Sequence, residues 1–217
     1  RRIARSATHL LALFPFEPAL YEKAGLPVTY VGHPLADVIP MDPDKAKART
    51  DLRVPAGSRV VALLPGSRRS ELHYMADLFV KTARRLVQDL PDAYFVCPTA
   101  SRETREMFQA ALHRNEANDL PLTLLFGHSH EALAAADIAL VASGTATLET
   151  ALFKTPMVIA YRQSGVSWAL MRRMGYLPYI GLPNILAGEY LVPEFVQDKA
   201  TPGALADALL DLAHDAV

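Results

Sequence analysis

The sequence predicts a doubly wound α/β fold, a parallel sheet with helices on both faces. Three observations carry that prediction. Apolar runs of strand length recur at 9–14, 28–32, 59–64, 93–97, 122–126, 137–142 and 156–161. Helical patterns fall between and after them, at 17–24, 68–89, 101–116, 129–136, 145–153, 165–174 and 202–216. Two strand ends run into small, hydroxyl-bearing turns that open helices, Pro65-Gly-Ser-Arg68 and Ser143-Gly-Thr-Ala-Thr147. Short buried runs separated by amphipathic helices are the pattern of crossover-connected parallel strands.

Taken in order, residues 1–55 supply two strands and a helix, too little for a core of their own. The charged stretch Met41–Asp51 has no strand signal, and Pro55-Ala-Gly57 precedes a new strand. A boundary near residue 55 follows. Residues 1–55 read as the tail of a preceding domain with its linker, and residues 56–217 as one doubly wound, Rossmann-like domain. Helix 68–89 is the clearest element. Leu72, Met75, Leu78, Phe79, Ala83 and Leu86 share one face, Lys81, Arg84, Arg85 and Gln88 the other, and Pro91 stops it. The chain lacks an initiating Met and stops inside the last helical pattern, so it reads as a fragment.

Composition narrows the function. The 217 residues carry 22 basic and 23 acidic side chains, a net charge of −1, which argues against general nucleic-acid binding. The one cysteine, Cys97, lies in an apolar run; it cannot form an internal disulfide and fits a reducing compartment. No apolar run approaches the ~20 residues of a membrane span. Arg1-Arg2 followed by His9–Phe14 mimics a signal peptide, but the apolar stretch is short and runs into Pro15 and Glu17.

The Ser143–Thr147 turn follows the apolar run Ile138–Ala142, and its helix start offers free N–H groups and the positive end of a dipole, which suits a phosphate. Glu149 stands in the first turns of that helix, placed to accept hydrogen bonds from paired sugar hydroxyls. In Pro65–Arg68, Gly66 allows close ligand approach, Ser67 can cap the helix, and Arg68 brings a forked cation. Read alone, this turn fits an ordinary strand-to-helix connection at least as well. It is neither a Walker A loop nor a complete dinucleotide fingerprint. Two such turns in one chain point to a diphosphate ligand at the carboxyl ends of the strands.

Other candidates are weaker. His128-Ser-His130 has no third ligand at a supporting spacing, so no metal site is expected and a helix start is preferred. His33, in Val31-Gly-His-Pro34, faces a cleft or serves as a hinge residue. The segment 181–197, punctuated by Pro183, Gly188 and Pro193, reads as an ordered loop carrying Asn184, Glu194 and Gln197. Val166–Tyr176 combines Trp168 with Arg172 and Arg173. It fits a core helix with solvated arginines, or a segment lying on an anionic membrane.

Six motifs occur in order: Phe14-Pro-Phe-Glu17, Val31-Gly-His-Pro-Leu-Ala-Asp37, Leu64-Pro-Gly-Ser-Arg68, Ser143-Gly-Thr-Ala-Thr-Leu-Glu149, Leu182-Pro-Asn-Ile-Leu-Ala-Gly188 and Val192-Pro-Glu194. Together, over nearly the whole chain, they resemble the lipid-A-disaccharide synthase family, bacterial inverting glycosyltransferases of the GT-B architecture. The resemblance implies transfer of 2,3-diacylglucosamine from UDP-2,3-diacylglucosamine to 2,3-diacylglucosamine 1-phosphate, giving a β-1,6-linked disaccharide 1-phosphate and UDP. It implies a donor nucleotide in the C-terminal domain, no metal, and no cofactor beyond the UDP-sugar substrate.

Carried over by residue, Gly66, Ser67 and Arg68 contact the donor diphosphate, with Arg68 stabilising the leaving group. Gly144, Thr145, Ala146 and Thr147 line the second phosphate turn. Glu149 holds the ribose hydroxyls, and Asn184 faces the donor site from its loop. The family's acidic general base lies in the N-terminal domain, outside this chain, so the chain is expected to bind donor and barely to catalyse. Glu189-Tyr190 departs from the basic residues some members are expected to carry there. The resemblance further implies a cytoplasmic location, peripheral on the inner membrane, and allows a homodimer. Two other readings stand beside it. One is a different UDP-sugar enzyme, a 2-epimerase or N-acetylglucosaminyl transferase, which the Phe14–Glu17 and Leu182–Gly188 motifs disfavour. The other is a non-catalytic nucleotide-binding or membrane-adapter module.

Overall fold

A computed structural model describes residues 6–165, 167, 168, 173 and 178–215. The chain opens with β1 (Leu10–Ala12), α1 (Glu17–Glu22) and β2 (Val28–Tyr30), and the two strands form a parallel pair of their own. The Phe14–Glu17 motif is a local lock, because Glu17 Oε2 accepts the N–H groups of Leu13 and Phe14 at 2.8 and 2.9 Å. Phe14 stacks on Phe16 and also meets the ring of His33, whose Nδ1 accepts the Leu35 N–H at 3.3 Å. His33 thus anchors the start of the short helix α2 (Leu35–Val38).

A second, six-stranded sheet follows, built from β3 (Arg59–Leu64), β4 (Ala93–Thr99), β5 (Leu122–Phe126), β6 (Ile138–Ala142), β7 (Met157–Tyr161) and β8 (Glu194–Val196). Its order is β5-β4-β3-β6-β7-β8 and every pairing is parallel. The chain winds outward from β3 to one edge, then returns to the other side of β3, so the switch point lies between β3 and β6. This is the doubly wound order in which ligands bind beyond the strands' carboxyl ends at the switch. Strands β3, β6 and β7 are buried on both faces, which is why they read as continuous apolar runs.

Alternate residues feed two cores. Val61, Leu63, Ile138 and Leu140 join the core beneath α4 (Arg69–Asp89), α5 (Arg102–Arg114) and α9 (Pro202–Asp215). Val60, Ala62, Ala139 and Val141 join the opposite core, with α6 (Ser129–Ala135) and α7 (Thr145–Leu152).

Three elements lie where the sequence shows weak periodicity. The charged stretch 41–51 contains α3 (Lys45–Asp51), N-capped by Asp44, with Ala48 and Ile39 buried in the second core. This helix precedes residue 55 yet packs on the main sheet's helical layer. Asp137 pins it there: its carboxylate accepts Lys45 Nζ at 2.6 Å, Arg49 Nη2 at 2.6 Å and the Val60 N–H at 2.7 Å. Burial alone would raise the Asp137 carboxyl. The hydrogen bonds from Lys45 and Val60, and the charges of Lys45 and Arg49, outweigh it and hold the group below the usual range. The expected loop 181–197 instead contains α8 (Leu182–Ala187), the edge strand β8 and a single 3₁₀ turn (Gln197–Lys199). The predicted helix 165–174 lies mostly outside the described residues. Among the described residues, no helix is long and apolar enough to cross a membrane.

Candidate active site

A cavity of about 480 Å³ opens at the switch point. The end of β3 contributes Gly66, Ser67 and Arg68, with Glu71 from α4; the end of β4 contributes Pro98, Thr99 and Ala100. Gly127 and Ser129 follow β5, and Ser143, Gly144, Thr145, Ala146 and Glu149 follow β6. Both turns singled out from the sequence therefore meet in one cavity, brought together because β3 and β6 are neighbours.

The two turns differ in what they leave free. At the first, Glu71 Oε2 accepts the N–H groups of Ser67 and Arg68 at 2.8 and 3.1 Å, and Glu71 Oε1 accepts Arg68 Nη1 at 3.0 Å. The helix start is thus already occupied by an internal carboxylate, with Arg68 as N-cap and Glu71 three residues on. Ser67, expected to cap, does not. Gly66 has φ +115°, and a Cβ there would stand 2.6 Å from Glu71 Cβ and Oε2, so glycine is required for the carboxylate to fold back. What this turn offers a ligand is the Arg68 guanidinium, 78% exposed. Arg69 turns away and pairs with Glu103 at 3.2 Å.

At the second turn, no hydrogen bond among the described residues engages the N–H groups of Gly144, Thr145 and Ala146. They stand at the start of α7 with the dipole behind them. Thr147, read as lining this turn, is fully buried instead. Its hydroxyl donates to the Gly144 carbonyl at 2.7 Å and accepts the Leu182 N–H at 3.3 Å. It shapes the turn from behind.

Glu149 lines the cavity one turn further on, its side chain one-fifth exposed. His130 Nε2 lies 3.6 Å from Glu149 Oε2, beyond direct hydrogen bonding, and the imidazole rests on Phe153. Asn184 requires a correction. Expected to face the donor site, it is fully buried, and its amide is consumed by its own loop. Nδ2 donates to the Val192 carbonyl at 2.8 Å and Glu194 Oε1 at 2.7 Å, while Oδ1 accepts the N–H groups of Leu191 and Val192 at 2.9 and 2.7 Å. A side-chain amide filled in this way by its neighbours is a scaffold.

Among the described lining residues Arg68 is basic, and Glu71 and Glu149 are acidic. Burial, and then the charge of Glu71, push the Tyr161 phenol upward. No three His, Cys, Asp or Glu side chains converge as metal ligands among the described residues. Glu71 is the participant that the residue pattern signalled and the sequence reading left without a role: a Glu three positions after the N-cap. Thr99 and Ala100, from the end of β4, carry no sequence signal.

Strand order and a cavity at the switch point define a doubly wound, Rossmann-like domain, and its solved neighbours make that fold the GT-B type. Solved structures of that class superpose on the chain. The Methanocaldococcus jannaschii UDP-GlcNAc 2-epimerase, in complex with UDP-GlcNAc and UDP, gives a TM-score of 0.63 at 11% identity, over 95% of this chain and 54% of that one. The pneumococcal O-GlcNAc transferase, with UDP and GlcNAc, gives 0.60 at 14% identity, over 98% and 40%. At such identity the likeness is one of fold. Sequence goes further. The profile of the lipid-A-disaccharide synthetase family matches residues 1–216. Lipid-A-disaccharide synthases of Azoarcus sp. and Aromatoleum aromaticum are 61% and 60% identical, over 96% and 99% of this chain and 54% and 55% of their own lengths. The chain belongs to the lipid-A-disaccharide synthase family, and it spans about half the length of the curated relatives it matches.

Proposed function

We propose that this chain carries the UDP-sugar half of a lipid-A-disaccharide synthase, the donor site being the cavity between β3 and β6. The observation that carries the proposal is the pairing of open N–H groups at Gly144–Ala146 with an exposed Arg68 across one cavity. A diphosphate seated on the N–H groups gains three fixed donors, and Arg68 swings from Glu71 to the phosphate. Glu149, one turn on, accepts the ribose hydroxyls. In an inverting displacement the acceptor hydroxyl attacks the donor's anomeric carbon and the bond to UDP breaks, leaving charge on the diphosphate. These groups stabilise that charge without a cofactor. The base that takes the hydroxyl proton lies outside this chain. Residues 56–217 form the donor domain, and residues 1–55 are the tail of the acceptor half with its linker, of which Ile39 and α3 pack on the donor domain.

Calorimetric titration with UDP and, separately, ADP tests the site. UDP should bind in preference, and Arg68→Ala and Glu149→Ala should each weaken it. A folded chain that binds no UDP refutes the donor-site reading. The acylated substrates place the reaction at a membrane surface, with Trp168, Arg172 and Arg173 as contacts; Arg172 lies outside the described residues. Binding to anionic vesicles should weaken in salt and in a Trp168→Ala, Arg172→Ala variant. Unchanged binding removes that segment as the anchor.

A further inference from the structure

The segment 180–182 is tied to both sides of the α7 turn. Ser143 Oγ donates to the Ile180 carbonyl at 2.9 Å, and the Leu182 N–H donates to Thr147 Oγ1 at 3.3 Å. Between those two ties stand the open N–H groups of Gly144, Thr145 and Ala146. What holds 180–182 is Glu194. Its two carboxylate oxygens accept the N–H groups of Ile180 and Gly181, each at 2.9 Å, and Oε1 also accepts Asn184 Nδ2 at 2.7 Å. Glu194 is fixed in turn by the sheet, opposite Ile159 in the β7–β8 pairing, and its N–H donates to the Tyr190 hydroxyl at 3.0 Å. The approach is close. A Cβ on Gly181 would stand 2.3 Å from Ile159 Cδ1 and 2.9 Å from Glu194 Oε1.

We propose that Glu194 is a positioning residue for the phosphate turn. Oriented by Asn184, its carboxylate fixes 180–182, and 180–182 fix Ser143 and Thr147, so that the three intervening N–H groups keep one orientation before any anion arrives. A carboxylate spanning two successive N–H groups is a rigid clamp, and donors oriented in advance add to affinity because ordering them is not charged to binding. Glu194 touches no ligand itself. The inference rests on the donor-site reading above and gives Asn184 a part in it at one remove.

The test compares the parent with Glu194→Gln, which keeps the size but turns an NH₂ toward one of the two N–H groups. Two quantities are measured: backbone order parameters of Gly144–Ala146 by ¹⁵N relaxation without ligand, and affinities for UDP and for uridine. The expected result is a fall in order parameter from about 0.85 toward about 0.6, a loss of UDP affinity of about tenfold, and unchanged uridine affinity. Ser143→Ala should repeat the pattern with Glu194 intact, and Ser143→Thr, which keeps the hydroxyl, should restore it; this pair carries the test if Glu194→Gln does not fold. Unchanged order at 144–146 overturns the inference whatever UDP does. Equal losses for UDP and uridine overturn it too, since they mean general loosening. A parent chain that binds no UDP strikes the donor-site reading alone, because the relaxation measurement still tests the clamp.

Discussion

Arg68→Ala should separate binding from stability. In the free protein Arg68 is 78% exposed, and among the described residues its ion-pair partner is Glu71, at 3.0 Å. An exposed pair of this kind contributes about 0–1 kcal/mol. Glu71 keeps its bonds to the backbone N–H groups of residues 67 and 68 after the change, so the helix cap survives. The melting temperature should therefore move by no more than about 4 °C. In the bound state Arg68 gives a charge-assisted hydrogen bond to the diphosphate, about 1.5–3 kcal/mol. Subtracting the pair surrendered to reach it leaves about 0.5–3 kcal/mol, or roughly 2–150-fold in Kd. The assay is calorimetry with UDP at two ionic strengths, with uridine as control. UDP affinity should fall by that factor, uridine affinity should hold, and the salt dependence should flatten. Equal UDP affinity in parent and variant refutes the assignment of Arg68 to the diphosphate.

Three further outcomes follow from the same geometry. Gly66→Ala places a Cβ in a left-handed backbone 2.6 Å from Glu71, and should cost about 2–4 kcal/mol in chemical denaturation through strain and a displaced cap. Asn184→Ala removes a fully buried amide and its hydrogen bonds to Leu191, Val192 and Glu194, and should lower stability by about 3 kcal/mol, a fall of roughly 6–12 °C in thermal melts. Asp137→Asn should destabilise by about 1–3 kcal/mol at pH 7, because the half-buried carboxylate holds Lys45, Arg49 and Val60 together. Since the folded Asp137 carboxyl is held below its unfolded value of about 3.9, its contribution is fully present above about pH 4 and is lost as pH falls through the lowered folded value. The gap between parent and Asn variant, measured by denaturation from pH 7 downward, should close only in that acid range.

The sequence by itself determined the fold class and the long central strands of the main sheet, because strands buried on both faces of a parallel sheet must be continuous apolar runs such as Val60–Leu64 and Ile138–Ala142. It also marked both turns, since small residues at a strand-to-helix junction leave a local signature. It could not mark α3, α8 or β8. Those elements are short, and α3 exists because Asp137, 88 residues from Arg49, receives its cations. Nor could it separate the two turns. Which helix start is open was set by one side-chain torsion choice, Glu71 folding back onto the N–H groups of Ser67 and Arg68 in the space Gly66 leaves. Asn184 looked like a ligand-facing polar residue in a loop, and only packing revealed that Leu191, Val192 and Glu194 saturate it. Periodicity is local and survives in sequence; the assignment of hydrogen-bond partners is long-range, and tertiary structure alone sets it.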